Sequence, residues 1–193
     1  MRPDVPTLFH PHARLEPLVS AHRDGLREAA GTDSAAFAYM PADLSGPGFD
    51  TWFEQALSNQ TDMIWTVIAP RTQTIVGSTR YLNMALSDKR VEIGYTWYAR
   101  SAWGGAINPA CKYLLCTYGF ETLMLNRIEL KTDARNARSR AAIAKLGARQ
   151  EGIFRQHMIV QGGHIRDTVY FSVIAPEWPE VKARLLTRLA EAG

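Results

Sequence analysis

Short runs of β-branched and aromatic residues, divided by polar turns, follow one another through the central and C-terminal parts of the chain. Such runs are typical of β-strands, and three that are divided only by the turns at 70–73 and 85–89 predict an antiparallel meander. Gly162 and Gly163 predict a tight turn between the last two runs. Seven strands are predicted, in chain order, at 13–17, 63–69, 74–83, 90–98, 127–132, 153–160 and 165–174.

Between these runs, apolar residues recur every three or four positions, which is typical of amphipathic helices. Ser20 predicts the N-cap of the first helix and Gly31 its C-terminal end, and Asp50 predicts the N-cap of the second. The last helix is predicted to carry Leu185, Leu186 and Leu189 on one face. The predicted helices are, in chain order, 21–30, a helix beginning at Asp50, 108–123, 137–146 and a helix from 176 onward.

This order of elements predicts an α/β (α+β) fold with one central mixed sheet. The strands at 90–98 and 127–132 are joined through the helix at 108–123, and such a crossover joins parallel neighbours, whereas the other strands follow one another as hairpins. We therefore expect a mostly antiparallel sheet of seven strands flanked by helices. The chain of 193 residues suits one domain. Its predicted segments are a lead-in with three prolines at 1–12, a domain at 13–180 and a helical tail at 181–193.

Composition and charge exclude several classes of protein. Apolar residues make up 46% of the chain and charged residues 21%, which is ordinary for a globular protein and unlike a disordered one. The net charge of +3 is spread along the chain instead of forming a Lys/Arg tract, so it suits a polyanionic small ligand and argues against nucleic acid as a partner. No apolar run predicts a membrane span, and residues 1–4 do not lead into a signal peptide, so we expect a cytoplasmic protein.

The spacing of the histidine, cysteine and aspartate residues does not predict a metal site. Cys111 and Cys116 lie in one predicted helix at a separation that places their side chains about 140° apart around its axis. That geometry fits neither a disulfide nor a metal pair, and a cysteine in a helix body is a poor candidate for a covalent nucleophile. We expect two buried side chains and no bound metal.

The turn at 99–107 is the most informative place in the chain. A strand ends there, Gly104 and Gly105 remove two side chains, and a helix begins at once. Such a turn directs several free backbone N–H groups at one point, backed by the helix dipole, and can therefore hold an anion. The same residues also fit a plain strand-to-helix turn that needs positive φ, and the spacing alone does not separate the two interpretations.

Residues in and after this region carry a family resemblance. They read VEIGYTW at 91–97, WGGAINPACKYLL at 103–115, LNRIELKTDARNARSRAAIAKLGARQEG at 125–152 and RDTVYFSV at 166–173. Together, over about 13–180, they resemble the GNAT acetyltransferase superfamily, and most closely the branch that contains the ribosomal-protein N-terminal acetyltransferases. The resemblance implies an enzyme that transfers the acetyl group of acetyl-CoA to a primary amine by direct attack in a ternary complex.

In this family a Gln/Arg-x-x-Gly-x-Gly/Ala loop holds the pyrophosphate of coenzyme A. The resemblance assigns that role here to Trp103, Gly104, Gly105, Ala106, Ile107 and Asn108. Trp103, Ala106 and Asn108 depart from the family pattern. The loop binds through backbone N–H groups, however, and these residues still supply them. Ala106 tolerates positive φ poorly, so the departures put the loop conformation in question. Arg100 and Lys112 are expected as flanking charges, or else as solvated surface cations.

The resemblance also implies that the strand at 90–98 parts from its neighbour to admit the pantetheine arm of the cofactor. Main-chain groups of Tyr95, Thr96 and Trp97 are then free to bond the arm and to polarise the thioester carbonyl, which is oxyanion-type assistance from the backbone.

Asn136 and Ser139 form a second group of interest. The resemblance implies that Asn136 bonds the pantetheine and that Ser139 lies by the sulfur, where its hydroxyl steadies or protonates the departing thiolate. One helical turn separates the two, so both reach one ligand. From the residues alone, Asn136 equally predicts the N-cap of the helix at 137–146.

Glu92 is the best-placed carboxylate for removing a proton from the attacking amine, because it lies on the strand that parts. Strand alternation predicts that it shares a face with Gly94 and Thr96. A carboxylate buried for structural reasons is the alternative, and His157 and Tyr170 are further candidates for the base.

The amine acceptor stays open between a protein N-terminus and a small molecule, and a homodimer is also open. Arg155, Arg166 and Asp167 either build an acceptor pocket or pair across the last hairpin. Two rival functions remain. A non-catalytic acyl-CoA-binding sensor or structural module on the same fold is favoured by the altered loop. An unrelated nucleotide-binding α/β protein would need a Gly-x-Gly-x-x-Gly or P-loop motif, and the sequence has neither.

Overall fold

The computed structural model describes residues 4–192. Residues 1–3 of the predicted lead-in and residue 193 of the predicted tail lie outside this range. The described strands are β1 Leu8–His10, β2 Ala13–Pro17, β3 Met63–Ala69, β4 Thr74–Ala85, β5 Arg90–Tyr98, β6 Arg127–Asp133, β7 Arg149–Val160 and β8 His164–Ile174. The described α-helices are α1 Arg23–Ala30, α2 Gly48–Ser58, α3 Ile107–Thr117, α4 Ala137–Leu146 and α5 Trp178–Ala190.

The strands form one sheet in the order β1-β2-β3-β4-β5-β6-β8-β7. Strands β5 and β6 pair in parallel, with α3 in the crossover between them, and the other neighbours are antiparallel. The predicted mixed, mostly antiparallel sheet is therefore confirmed, with one strand more than expected.

Helices cover both faces of the sheet, and each face has its own core. Helices α3, α4 and α5 pack on one face, together with Trp65, Tyr81 and Ile128. Helices α1 and α2 pack on the other face, together with Ile64 and Trp97. Strand β3 is sandwiched between the two layers, which explains why its sequence is an almost unbroken apolar run.

The two ends of the chain differ most from the expectation. The predicted loose lead-in contains β1, which pairs with β2, and the indole Nε1 of Trp65 donates a hydrogen bond to the carbonyl oxygen of Pro6 at 2.7 Å. Helix α5 runs through the predicted boundary at 180, and its Val181, Leu185 and Leu189 are buried. Leu186 is exposed, so the expectation that it shares the apolar face was wrong, because it lies about 100° around the helix from Leu185. Within residues 4–192, both terminal segments are thus part of the fold.

The helix ends are only partly as predicted. Gly31 closes α1 with φ 64°, as expected, but α1 begins at Arg23 after a 3₁₀ turn, so Ser20 is not its cap. Asp50 is not the cap of α2 either, because it lies inside the first turn and forms ion pairs with Arg23 and Arg27. Both caps were wrong because each helix starts two or three residues away from the predicted position, α1 after the 3₁₀ turn at Ser20–His22 and α2 already at Gly48.

Candidate active site

Strands β5 and β6 stay together over only three residue pairs and then separate. Their pairing ends at Glu92 opposite Glu129, although β5 continues to Tyr98 and β6 to Asp133. The expected parting of these strands is confirmed. It leaves a slot in the middle of the sheet that opens towards the N-terminus of α3.

A β-bulge at Tyr95 shapes the wall of this slot. Tyr95 has φ 47°, and neither Tyr95 nor Thr96 has a partner residue on either neighbouring strand. The expectation that Thr96 shares a face with Glu92 is wrong, because the bulge reverses the alternation. The Thr96 hydroxyl accepts a hydrogen bond from Nζ of Lys112 on α3 at 3.3 Å, whereas Tyr95 lies beside Trp52 on the α2 side. The bulge thus leaves Tyr95 and Thr96 out of register with β4, along the part of β5 that borders the slot.

The turn after β5 presents an open backbone in front of α3. Positive φ falls on Gly104, at 76°, while Ala106 is right-handed helical at φ −75°, ψ −16°, so the predicted difficulty at Ala106 does not arise. A Cβ placed on Gly104 or Gly105 would meet no heavy atom within 4 Å, so the backbone here is open to a ligand. The first hydrogen bond inside α3 is donated by the N–H of Ala110, at 2.9 Å to Ala106 O, and the N–H groups before it have no helical partner.

Two guanidinium groups flank this loop by stacking on Trp103. The indole Nε1 donates to the carbonyl oxygen of Tyr98 at 2.9 Å and so holds the loop against the end of β5. The guanidinium carbon of Arg138 lies 3.6 Å from the ring centroid and that of Arg100 lies 4.8 Å away. Burial lowers the pKa of Arg138, and so does the nearby charge of Arg100, which also pairs with Asp33. Arg138 has no signal in the sequence, because only the fold brings α4 beside the loop.

Lys112 does not flank the phosphate loop, and both expectations for it were wrong. Its side chain is buried between α3 and β5, and burial lowers the pKa of its ammonium group to about 8. Nearby, Cys111 and Cys116 are free and buried, as predicted. Burial raises the pKa of each thiol to about 12, so both remain protonated and unreactive at neutral pH.

Glu92 lies at the point where the two strands part and is only 3% exposed. Its Oε2 receives hydrogen bonds from Nδ2 of Asn83 at 2.9 Å and pairs with Nζ of Lys131 at 3.0 Å. Its Oε1 has no such partner among residues 4–192 and lies 3.0 Å from the position of a Cβ on Gly94. The carboxylate is therefore fixed through one oxygen and free at the other.

The capping interpretation of Asn136 is confirmed. Its Oδ1 accepts a hydrogen bond from the backbone N–H of Ser139 at 3.0 Å, at the start of α4. The side-chain amide nitrogen of Asn136 and the hydroxyl of Ser139 make no hydrogen bond within the described part of the chain. Both groups therefore remain able to bind a ligand in addition to starting the helix.

The α2 side of the sheet has a cavity next to the bulge. It has a volume of about 290 Å³ and lies between Tyr95, Trp52 and the segment 40–44. The guanidinium carbon of Arg80 lies 4.4 Å from the centroid of the Tyr95 ring, and Arg80 pairs with Asp62 at 3.2 Å. The cavity is mostly apolar, and the buried Arg80 lies against the ring of Tyr95, one of its lining residues.

The remaining candidates for the acceptor pocket and the base lie on the last hairpin, in different surroundings. Asp167 accepts a hydrogen bond from the N–H of Gln156 at 2.7 Å, which confirms cross-hairpin pairing for that residue. His157 is exposed, and its ring lies 5.8 Å from that of Tyr170. Arg155 is also exposed, whereas Arg166 is buried.

Two further observations concern metals and membranes. Residues 4–192 contain no group of three or more His, Cys, Asp or Glu side chains that could hold a metal ion. Within the same residues, every helix is too short or too polar to cross a membrane.

Comparisons with known proteins agree with this geometry. YdaF of Bacillus subtilis (strain 168), whose name assigns it provisionally as a ribosomal N-acetyltransferase, is 37% identical over 106 residues, which are 54% of this chain and 56% of YdaF. The chain thus aligns with little more than half the length of this curated relative. A GCN5-related N-acetyltransferase from Brucella melitensis superposes with a TM-score of 0.89 at 28% identity, covering 98% of this chain and 87% of that one. RimJ of Mycobacterium smegmatis, solved in complex with CoA-disulfide, shares the fold with a TM-score of 0.73 at 22% identity, covering 97% and 94%.

The family model described as the acetyltransferase (GNAT) domain matches residues 12–149, which include the slot, the phosphate loop and the start of α4. Fold, site geometry and family model agree over most of the chain. The protein therefore belongs to the GNAT acetyltransferase family.

Proposed function

We propose that the protein transfers the acetyl group of acetyl-CoA to a primary amine by direct attack in a ternary complex. The observation that carries this proposal is the slot between β5 and β6, which opens towards the turn at 103–108, while a separate cavity lies beside Tyr95 on the α2 side of β5. A reaction between a phosphate-bearing donor and a separate acceptor needs two such binding regions, one for each reactant.

The residues along the slot fit acetyl-CoA. The N–H groups at 104–108 would hold the pyrophosphate, with Arg100 and Arg138 as flanking charges, whereas the N–H of Trp103 donates to the carbonyl oxygen of Arg100. Main-chain groups of Tyr95, Thr96 and Trp97 would hydrogen-bond the pantetheine arm, and Asn136 would bond it from α4. The departures of the loop from the family pattern leave this fit intact, because the backbone supplies its donors.

Bound acetyl-CoA would supply an acetyl group activated as a thioester. The free Oε1 of Glu92 would accept the proton of the acceptor amine, directly or through water, while Oε2 stays fixed by Lys131 and Asn83. Backbone N–H groups at the bulge would donate to the thioester oxygen as negative charge develops on it. The Ser139 hydroxyl would donate to the departing sulfur. The buried thiols take no part in this mechanism.

The acceptor is proposed to be a protein N-terminus or a small-molecule amine. The mostly apolar cavity beside Tyr95 and Trp52 has room for a short side chain or the first residues of a peptide. The provisional name of YdaF, a ribosomal N-acetyltransferase, favours a protein as the acceptor.

Incubation with acetyl-CoA and a panel of amines and N-terminal peptides, followed by mass spectrometry, tests the proposal. We expect a mass gain of one acetyl group on at least one class of acceptor, with free CoA released in equal amount. Gly104→Asp, which disturbs the loop, is expected to lower this yield, and Gly162→Asp is the control with the same sign of φ outside the slot. Tight binding of acetyl-CoA without transfer to any amine would instead support the acyl-CoA-binding sensor.

A further inference from the structure

Arg166 is a buried cation without a partner. It lies on β8, is 7% exposed, and its Nε is buried without a hydrogen bond. Its guanidinium forms no hydrogen bond or ion pair with any residue of the described part of the chain. Buried charged groups are almost always paired, because leaving water without compensation is costly. Such a group therefore points to a ligand of opposite charge.

The acidic neighbours of Arg166 are already engaged by other cations. Asp133 and Glu92 are the carboxylates nearest to it, and Tyr170 and Tyr95 are the nearest phenols. Glu92 pairs with Lys131 at 3.0 Å, and Asp133 pairs with Arg135 at 2.8 Å. Three cations thus face two carboxylates, so one positive charge has no counterpart here.

The charge of Arg166 persists at neutral pH. Burial is the largest influence and lowers the pKa of the guanidinium, and the nearby carboxylates and phenols oppose this effect. An arginine side chain nevertheless remains protonated in a protein.

The location of Arg166 indicates which reactant would supply the anion. Arg166 lies on β8 beyond the last residue pair with β6, Thr168 opposite Asp133, and its neighbours include Tyr95, which lines the cavity on the α2 side of the sheet. The turn that would hold the phosphates leads into α3, which packs on the other face of the sheet. The acetyl group and the pantetheine arm of the cofactor carry no charge. The missing anion is therefore not supplied by the cofactor.

We propose that Arg166 binds a carboxylate of the acceptor, and that the preferred substrates are amines that carry a carboxylate close to the reacting nitrogen. An amino acid supplies this group as its α-carboxylate, and a peptide supplies it as an acidic side chain next to the N-terminus. A guanidinium suits this recognition, because its planar fork matches both oxygens of a carboxylate. This inference rests on the proposed amine acetylation and adds the acceptor class to it.

Matched pairs of acceptors test the inference. Alanine is compared with alaninamide, and the peptide amide Ala-Glu-Ala-Ala with its glutamine counterpart Ala-Gln-Ala-Ala, by steady-state kinetics with acetyl-CoA. The wild-type protein is expected to favour the carboxylate member of at least one pair by about 10- to 100-fold in kcat/KM, and the pair that shows the preference identifies the source of the carboxylate.

Variants of the chain then assign the preference to this residue. Arg166→Gln is expected to abolish the preference while its acetyl-CoA Kd stays unchanged, and Arg166→Lys is expected to retain part of it. Arg155→Gln, an exposed arginine on the facing strand of the same hairpin, is the matched control and should behave as wild type. Equal kcat/KM for both members of each pair in the wild-type protein, or an undiminished preference in Arg166→Gln, would overturn the inference. If Arg166→Gln does not fold, the inference is tested by the preference of the wild-type protein for the carboxylate substrate and by the part of that preference that Arg166→Lys retains.

A binding measurement separates this inference from the proposed function. If the wild-type protein acetylates none of these amines, the proposed function is contradicted for this panel, and melting shifts of the CoA-saturated protein with N-acetylalanine and N-acetylalaninamide are compared. A shift that requires the carboxylate and disappears in Arg166→Gln supports an anion site. Equal melting shifts for N-acetylalanine and N-acetylalaninamide contradict an anion site at Arg166. A shift in Arg166→Gln that equals that of the wild-type protein contradicts it as well.

Discussion

Replacing Lys112 with methionine is expected to stabilise the protein at neutral pH. The ammonium group is buried between α3 and β5, where it donates to the Thr96 hydroxyl at 3.3 Å and has no ion-pair partner in the described part of the chain. Burial lowers its pKa from 10.5 to about 8. At about 1.36 kcal/mol for each pKa unit, the charged form is less stable in the folded protein by about 3 kcal/mol. Methionine keeps the length of the side chain and removes the charge.

The sign of the pH dependence follows from this lowered pKa. Between pH 8 and 10.5 the unfolded chain holds a proton on Lys112 that the folded protein has released, so wild-type stability gains from this group as pH rises through that window. The cost of the lysine is fully present below about pH 8 and has fallen to less than about 1 kcal/mol by pH 10. The advantage of Lys112→Met should therefore shrink with rising pH.

Urea unfolding of the wild-type protein and Lys112→Met at pH 7, 9 and 10 measures this difference. We expect a gain of about 1–3 kcal/mol at pH 7, below the full value because the hydrogen bond to Thr96 is lost. Lys145→Met, at an exposed position of α4, is the control and should change stability by less than about 0.5 kcal/mol at each pH. A variant that is no more stable than wild type at pH 7, or whose gain does not shrink by pH 10, would refute the reasoning.

Four further predictions concern the site. Asn136→Ala should cost about 1 kcal/mol of stability through the lost cap and raise the KM for acetyl-CoA more than it lowers kcat, measured by melting and steady-state kinetics. Ser139→Ala should leave the acetyl-CoA Kd unchanged and lower kcat by about 10- to 100-fold, and wild-type turnover would remove its proposed role. Arg138→Gln should weaken CoA binding by about tenfold in calorimetry, with Arg140→Gln as control. Glu92→Gln should lower kcat at an unchanged acetyl-CoA Kd in stopped-flow and binding assays, and full activity would exclude it as the base.

Much of the fold was predictable because its signals are local. Strands such as β3 consist of β-branched and aromatic residues bounded by turn residues, and the order of strands and helices around α3 requires a parallel pair next to antiparallel ones. Strand β1 was missed because three residues, one of them an exposed phenylalanine, are too few to show a period. Asp50 resembles a helix cap in the sequence, yet its ion pairs with Arg23 and Arg27 come from another helix.

The features of the site that depend on backbone conformation were easier to predict from the sequence than those that depend on the burial of side chains. Glycines after a strand and before a helix predicted the open turn in front of α3, while its phosphate-binding role came from the family resemblance. The bulge at Tyr95 has no local signal, since a non-glycine residue with positive φ is uncommon, and it reversed the face of Thr96. Arginine and lysine are normally exposed, so the burial of Lys112 and Arg166 was visible only after both layers of helices had been assembled on the sheet.

Calorimetric titration of acetyl-CoA into the wild-type protein and Gly104→Asp tests the central claim most directly. Aspartate places a negative charge beside the proposed pyrophosphate site and a Cβ at a position with φ 76°, where the chain now leaves open space. Gly162→Asp, at φ 68° and also in open space, carries the same charge and strain outside the slot. The account predicts that Gly104→Asp weakens binding by about 10- to 100-fold, or about 1.4–2.8 kcal/mol, while Gly162→Asp binds as wild type does. Equal Kd values for wild type and folded Gly104→Asp would contradict the account.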